Sequence, residues 1–326
     1  MSGMLFEGHA TRYATSVMST EVSVIQLGEE VATALSERRP VVAMESTIYS
    51  NLGLPTPDNA EALRRCEAVI REAGAVPAVT VVLDGVPKVG LDKADVARML
   101  EGSAKVAERD LPVAVAQGWP VGVTTVSASV ALAAQVGIEV FATGGIGGVH
   151  RGSELTGDVS ADLGAIAQHR VVVVSAGAKA FLDLARTLEL LETLSIPVLG
   201  WKTDQFPAFY TRESGLEVGH RVENAAEVAR VLRARSMLGA GGVLLANPIP
   251  EADELDRDAV EAALEAGLAE VAARGLSGPA VTPVVLGRIA EVTDGDSVPA
   301  NLALAENNAR VAALVAVELR KLDGVE

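Results

Sequence analysis

Two residues in this chain stand where reactive groups are made. Lys179 follows four consecutive valines at 171–174 and the small-residue turn Ala176-Gly177-Ala178. An amine whose stem starts in apolar surroundings is poorly solvated as a cation and becomes available as a neutral nucleophile for imine chemistry. The competing reading is a lysine that snorkels from a helix start, a place where the macrodipole disfavours positive charge. Glu45 closes the apolar run 41–44. It reads either as a capping or solvated glutamate or as a general acid with a raised pKa. Asp158 and Asp162 lie four apart in Thr156-Gly157-Asp158-Val159-Ser160-Ala161-Asp162. Such a pair either sits on a solvated helix start or offers carboxylate oxygen to a divalent cation whose shell is completed by water.

The glycine-rich stretch 144–152, Gly-Gly-Ile-Gly-Gly-Val-His-Arg-Gly, fits neither common phosphate fingerprint. Starting from Gly145, His150 falls where the last glycine of a dinucleotide motif belongs, and no Gly-Lys-Ser/Thr follows. A tight turn and a backbone cradle for a ligand both remain open. Lys105, taken alone, reads as a surface lysine. His9, His150, His169 and His220 show no metal-type pairing. The single cysteine, Cys66, excludes an internal disulfide and reads as a half-buried residue of an amphipathic helix.

Groups this scattered in sequence need strand ends to bring them together. Short, β-branched apolar runs at 40–44, 78–83, 139–143, 170–175, 197–200 and 242–246 predict strands covered on both faces. Between them the pattern predicts helices at 57–73 (Thr56 as N-cap, Pro57 first), 93–100 (capped by Asp92), 126–136, 161–167, 178–194, 225–238, 256–274 and 302–321. The alternation predicts an α/β fold, a three-layer α/β/α domain with a largely parallel, mixed central sheet, occupying 21–326 after a loose lead-in at 1–20. In such sheets ligands gather beyond the carboxyl ends of strands. Glu45, the glycine-rich stretch and Lys179 all follow predicted strands.

Composition narrows the partners. In 326 residues, 27 Lys and Arg face 43 Asp and Glu, a net charge of −16. That argues against a nucleic-acid backbone or an anionic membrane surface, while a phosphorylated small molecule stays allowed. The uncharged stretch 111–138 is long enough to span a bilayer but is broken by Pro112, Gln117, Pro120 and Gln135. The first residues lack the apolar core of a secretory signal, so a cytoplasmic protein is expected.

The segments VVAMESTI, LPTPDNAE, DGVPKVGL, KVAERDLP, GVTTVSA, VFATGGIGGVHRG, DVSADL, SAGAKAFLDL, TDQFPAFYTRESG, LLANPIP and TDGDSVPANLAL, followed by ENNA, run in order from Val41 to Ala309. Together they resemble the pseudouridine-5′-phosphate glycosidases, a family that includes indigoidine-synthase-A-like proteins. The resemblance implies reversible cleavage of pseudouridine 5′-phosphate to uracil and ribose 5-phosphate, with a divalent metal, usually manganese, in a homotrimer. It implies Glu45 as proton donor to the ring oxygen and Lys179 as the nucleophile that forms an imine at C1′. Lys105, Val126 and Ser160-Ala161-Asp162 match substrate-binding positions, and Asp158 matches the metal ligand. His150 and the glycine-rich loop would wall the site.

Three positions depart from that pattern: Asn51-Leu52-Gly53 replaces a His-Gly pair, Gly157 replaces an aromatic, and Ala107-Glu108 replaces a Ser-Arg pair. The last removes a charge that could pair with phosphate. Two other readings are a lyase or glycosidase acting on a related sugar phosphate and a non-catalytic ligand-binding protein. A nucleotide-binding oxidoreductase lacks its fingerprint.

Overall fold

Apolar runs too short for helices become the strands. The computed structural model describes residues 24–239, 241–276 and 281–324. The lead-in expected at 1–20 lies outside them. Strands follow at β1 Gln26–Leu27, β2 Val41–Met44, β3 Val76–Leu83, β4 Val86–Val89, β5 Lys105–Val106 and β6 Val121–Thr124. They continue with β7 Val140–Ala142, β8 Val172–Ser175, β9 Val198–Trp201, β10 His220–Val222 and β11 Val243–Ala246. Among the described residues they form one sheet in the order β1-β4-β3-β2-β7-β8-β11-β9-β10, with β6 on β3 and β5 on β6. Pairing is parallel except where β4 and β6 run against β3. The sheet is thus mixed and mostly parallel, flanked by helices, as the alternation predicts. Every residue of β2, β3, β7, β8 and β11 is buried, which is why those segments read as unbroken apolar runs.

The short strands β1, β4, β5, β6 and β10 carry too little periodic signal to be foreseen. Two expectations are corrected. The helix expected at 178–194 begins only at Leu184, where Asp183 accepts from Arg186 N at 3.0 Å. Residues 176–183 instead form a loop stitched to its neighbours: Lys179 N donates to Ile146 O at 3.0 Å and Phe209 N to Ala176 O at 3.1 Å. Gly177, with φ +80°, makes the turn that those bonds require. At the other helix, Pro57 is the boundary residue of Asp58–Glu72 and no side chain caps it, so Thr56 is not a cap. Asp92 does cap its helix, accepting from Ala94 N and Asp95 N, each at 2.8 Å.

The helix Ser297–Asp323 packs on helices Asp58–Glu72 and Ala225–Met237 and reaches β2, β7 and β8. Half of its buried residues are alanine, which lets it approach the sheet closely. At the base of β7, buried Glu139 is held by Arg233 (2.7 and 2.9 Å) and Arg170 (2.9 Å), and Arg233 also pairs with Asp323 of that helix. Burial pushes the Glu139 carboxyl up, but the Arg233 hydrogen bond and the charges of Arg233, Arg170 and Arg320 outweigh it and hold the group below its usual range. This network anchors the fold at the end of the sheet opposite the candidate site.

Candidate active site

Four strand ends meet in one place. β6 returns along β3 so that Thr124 arrives beside the end of β2. There Thr47 N and Oγ1 donate to Thr124 O at 3.1 and 2.7 Å, and Ser46 Oγ accepts from Thr124 N at 2.8 Å. Thr80 joins the same buried cluster, 2.8 Å from Thr124 Oγ1 and from Ser129 Oγ. These hydroxyls replace ladder bonds where the strands end, and they hold Glu45 in a fixed, buried position. Its Oε1 accepts a short hydrogen bond from Thr143 Oγ1, just past β7. Burial raises the Glu45 pKa, and the charge of Asp162 adds to it. Lys179, the Thr143 hydrogen bond and Lys105 oppose without cancelling. A carboxyl in that condition keeps its proton above the ordinary glutamate range and can act as an acid.

Lys179 lies past β8 on the stitched loop, partly buried, and its charge acts on Glu45, Lys105 and His150. The helix-start reading for this residue therefore falls. Lys105, at the head of β5, is accessible to solvent yet surrounded by protein, as in an open cleft. Burial, then repulsion from Lys179, lowers its pKa, with Asp162 and Glu45 opposing. It is not an isolated surface lysine.

Asp162 occupies the first turn of helix Ala161–Gln168, whose cap Ser160 accepts from Asp162 N at 3.2 Å. Its buried carboxylate accepts from Ser127 N at 3.0 Å and Gly147 N at 2.8 Å. It therefore joins two helix starts to the glycine-rich loop, a favourable place for negative charge. A Cβ on Gly147 would strike Ser160 Oγ and crowd Asp162, so this glycine is there for close packing. Val126 is the buried first residue of helix Val126–Gln135 and offers an N–H that has no partner within the helix. Ala161 is exposed at its own helix start.

Asp158 stands apart from this cluster, one step outward. Its Oδ2 is 3.7 Å from His150 Nδ1, and its side chain is 37% exposed. His150 packs near Phe181, with ring centroids 6.0 Å apart. Burial lowers the His150 pKa; Asp158 opposes, while Lys179 and Lys105 add to the lowering. Gly157, where an aromatic was expected, has φ +68° and closes the short helix Ser153–Thr156 before Asp158. Among the described residues no three His, Cys, Asp or Glu side chains converge as a metal cage.

Three contributors carried no local signal. Thr143 is one threonine among many until its contact with Glu45 is seen. Asn308, in ENNA, is buried in the long helix and donates to Thr143 O at 2.8 Å and Gly144 O at 3.2 Å, while accepting from Asn247 at 2.8 Å. It ties the ends of β7 and β11 together. Asn301, one helical stretch earlier, has a buried Oδ1 without a hydrogen-bond partner, beside Gly144. Cys66 is buried beside Tyr49, and burial pushes its thiol up to about 12, which leaves it unreactive. A cavity of about 400 Å³ adjoins the Lys179 loop, lined by Arg151, Ala180, Leu182, Thr211, Arg257 and Leu264 among others. Glu45, Lys105, Asp158, Asp162 and Lys179 do not line it. No helix among the described residues is long and apolar enough to cross a membrane.

Residues 30–318 match the family described as Indigoidine synthase A like protein. A pseudouridine-5′-phosphate glycosidase from Caldanaerobacter subterraneus subsp. tengcongensis is 52% identical over 91% of this chain and 97% of its own. One from Sorangium cellulosum is 50% identical over 91% of this chain and 94% of its own. Among solved structures, the prealnumycin C-glycosynthase AlnA in complex with ribulose 5-phosphate superposes with a TM-score of 0.86 at 38% identity, covering 93% of this chain and 99% of that one. With a family match over most of its length and relatives at half identity, the chain belongs to the indigoidine synthase A-like family.

Proposed function

We propose that this protein cleaves the carbon–carbon glycosidic bond of pseudouridine 5′-phosphate, giving uracil and ribose 5-phosphate. The observation that carries the reading is at the strand ends: a buried carboxyl, Glu45, whose pKa burial raises, within the field of Lys179 on a fixed loop. The names of the relatives support the substrate, and the neighbour's complex with ribulose 5-phosphate supports a sugar phosphate as the class of ligand.

The bond to be broken has no leaving heteroatom, so the two-carboxyl scheme of ordinary glycosidases does not suffice. In the proposed sequence Glu45 protonates the ring oxygen as the C1′–O4′ bond breaks. The amine of Lys179 bonds to C1′, and the Glu45 carboxylate takes up the proton that its nitrogen sheds. The C1′–C5 bond then breaks with its electron pair leaving on uracil C5, which takes that proton from Glu45, and C1′ remains as a protonated imine with Lys179. Water adds to the imine, releasing open-chain ribose 5-phosphate and the free amine and returning a proton to Glu45. In this reading Lys105 meets the phosphate, and the Val126 N–H, the Ser160–Ala161 turn and Asp162 meet the sugar or base.

Asp158 is the residue that would hold a divalent cation. A partly exposed carboxylate that belongs to no cage of ligands among the described residues suits a hard, water-rich ion such as manganese and does not suit zinc. When bound, such an ion supplies positive charge that orients anionic oxygen. Asp158→Ala should raise the manganese concentration for half-maximal activity by about tenfold or more, consistent with losing the one protein ligand. An unchanged metal titration would remove Asp158 from that role.

The direct test is chromatographic detection of uracil from pseudouridine 5′-phosphate, with manganese and with chelator. Uracil release that stops with chelator supports both the reaction and its metal. Well-folded protein that releases none, yet is trapped by borohydride on Lys179 with another sugar phosphate, would replace this substrate by a related one.

A further inference from the structure

Glu108 stands three residues after Lys105. A carboxylate beside a phosphate-binding lysine would repel the substrate if it faced the site. In the structure it is engaged elsewhere: Glu108 Oε1 lies 2.7 Å from Nε2 of His169. Both side chains are largely shielded, at 31% and 15% exposure. His169 caps the far end of helix Ala161–Gln168, whose first turn holds Asp162.

The pair matters because Lys105 has a weak platform. β5 is two residues long and pairs with β6 alone. The chain leaving it is fixed by Ala107 N donating to Asp110 Oδ2 at 3.0 Å and Glu108 N donating to Ser127 Oγ at 3.2 Å. Ser127 N in turn donates to Asp162, which also binds the glycine-rich loop. The Glu108–His169 contact closes this frame by joining the turn after Lys105 to the opposite end of the Asp162 helix.

We propose that Glu108 and His169 are a positioning pair that sets the Lys105 ammonium for the phosphate of the substrate. The proposal rests on the reading of Lys105 given above. Both residues act through the chain that carries Lys105, which Glu108 anchors from the turn after β5. Loss of the contact should therefore be felt in sugar-phosphate affinity and not in the chemical step.

The experiment measures ribose 5-phosphate affinity by calorimetry and steady-state constants for pseudouridine 5′-phosphate. Glu108→Ala and His169→Ala are each expected to weaken ribose 5-phosphate binding and raise KM about five- to tenfold, with kcat within about twofold. The double variant should add no more than about twofold, because both changes remove one contact. Glu108→Gln, whose amide oxygen still accepts from Nε2–H, should restore affinity. Should one alanine variant fail to fold, the other reads the same contact from its opposite side. If Lys105→Ala leaves ribose 5-phosphate affinity unchanged, the phosphate role of Lys105 fails and the pair's role with it. If Lys105→Ala weakens binding while Glu108→Ala and His169→Ala bind as wild type, the positioning role alone is overturned. A fall in kcat and Tm at constant KM would overturn it too, since that is the mark of a merely structural contact.

Discussion

Lys179→Ala is expected to release no measurable uracil from pseudouridine 5′-phosphate, a loss of at least about 10⁴-fold in kcat, the scale on which removing a covalent nucleophile acts. The loop explains why so little else should change. Its course is set by backbone bonds, Lys179 N to Ile146 O and Leu182 N to Lys179 O, each at 3.0 Å, and by the turn at Gly177. None of these involves the side chain, and the residue is only partly buried, so truncation leaves no large void. Substrate should still bind through Lys105 and the Asp162 turn, with affinity within a fewfold of wild type. Borohydride added during turnover should fix a ribose 5-phosphate unit to Lys179 in the wild type, seen as a mass increment on the peptide containing that residue, and not in the variant. Wild-type rates in Lys179→Ala would sink the imine sequence altogether.

How far this site could be read from sequence follows from how its parts are encoded. β2, β7, β8 and β11 are buried on both faces and short, so each announces itself as an apolar run, and the residue that follows is by position a site candidate. Glu45 and Lys179 were legible for that reason. The edge strands were not. β5 holds Lys105 in place, yet Lys105–Val106 is two residues with one alternation and no periodic signal. The helix expected over Lys179 failed for a different cause. Ala176-Gly177-Ala178-Lys179 has helix-forming alanines, but tertiary bonds to the loop after β7 and to Phe209 outweigh that local preference. Asp162 was legible as an acid near a helix start, and its partners were not. Ser127 N and Gly147 N reach it from segments 35 and 15 residues away, and only the packed structure pairs them. The same holds for Thr143 against Glu45, whose hydroxyl crosses 98 residues of sequence.

Glu45→Gln tests that last contact and the proton it controls. The substitution keeps the shape of the side chain and an oxygen to accept from Thr143, but removes the acidic proton. Loss of kcat/KM is expected at about 10²–10⁴-fold, the range for removing a general acid. The pH behaviour distinguishes this from a packing effect. Burial raises the Glu45 pKa above its ordinary 4.5, so the folded protein holds this proton more tightly than the unfolded chain does. The residue therefore favours the native state at low pH, and that contribution is lost as pH rises from about 4.5 through the raised native value. Glutamine has no such dependence. The Tm of Glu45→Gln relative to wild type should accordingly climb across that window, even as activity is lost. In wild type, kcat/KM should fall as pH rises through the same raised value, because the acid form is the one that opens the sugar ring, and the variant's residual rate should lack that limb. A variant that is inactive because it is unfolded would show a lowered Tm at every pH. One that keeps full activity would mean that the ring oxygen receives its proton from elsewhere. The burial that makes Glu45 costly as an anion is thus the same feature that keeps it an acid where the reaction needs one.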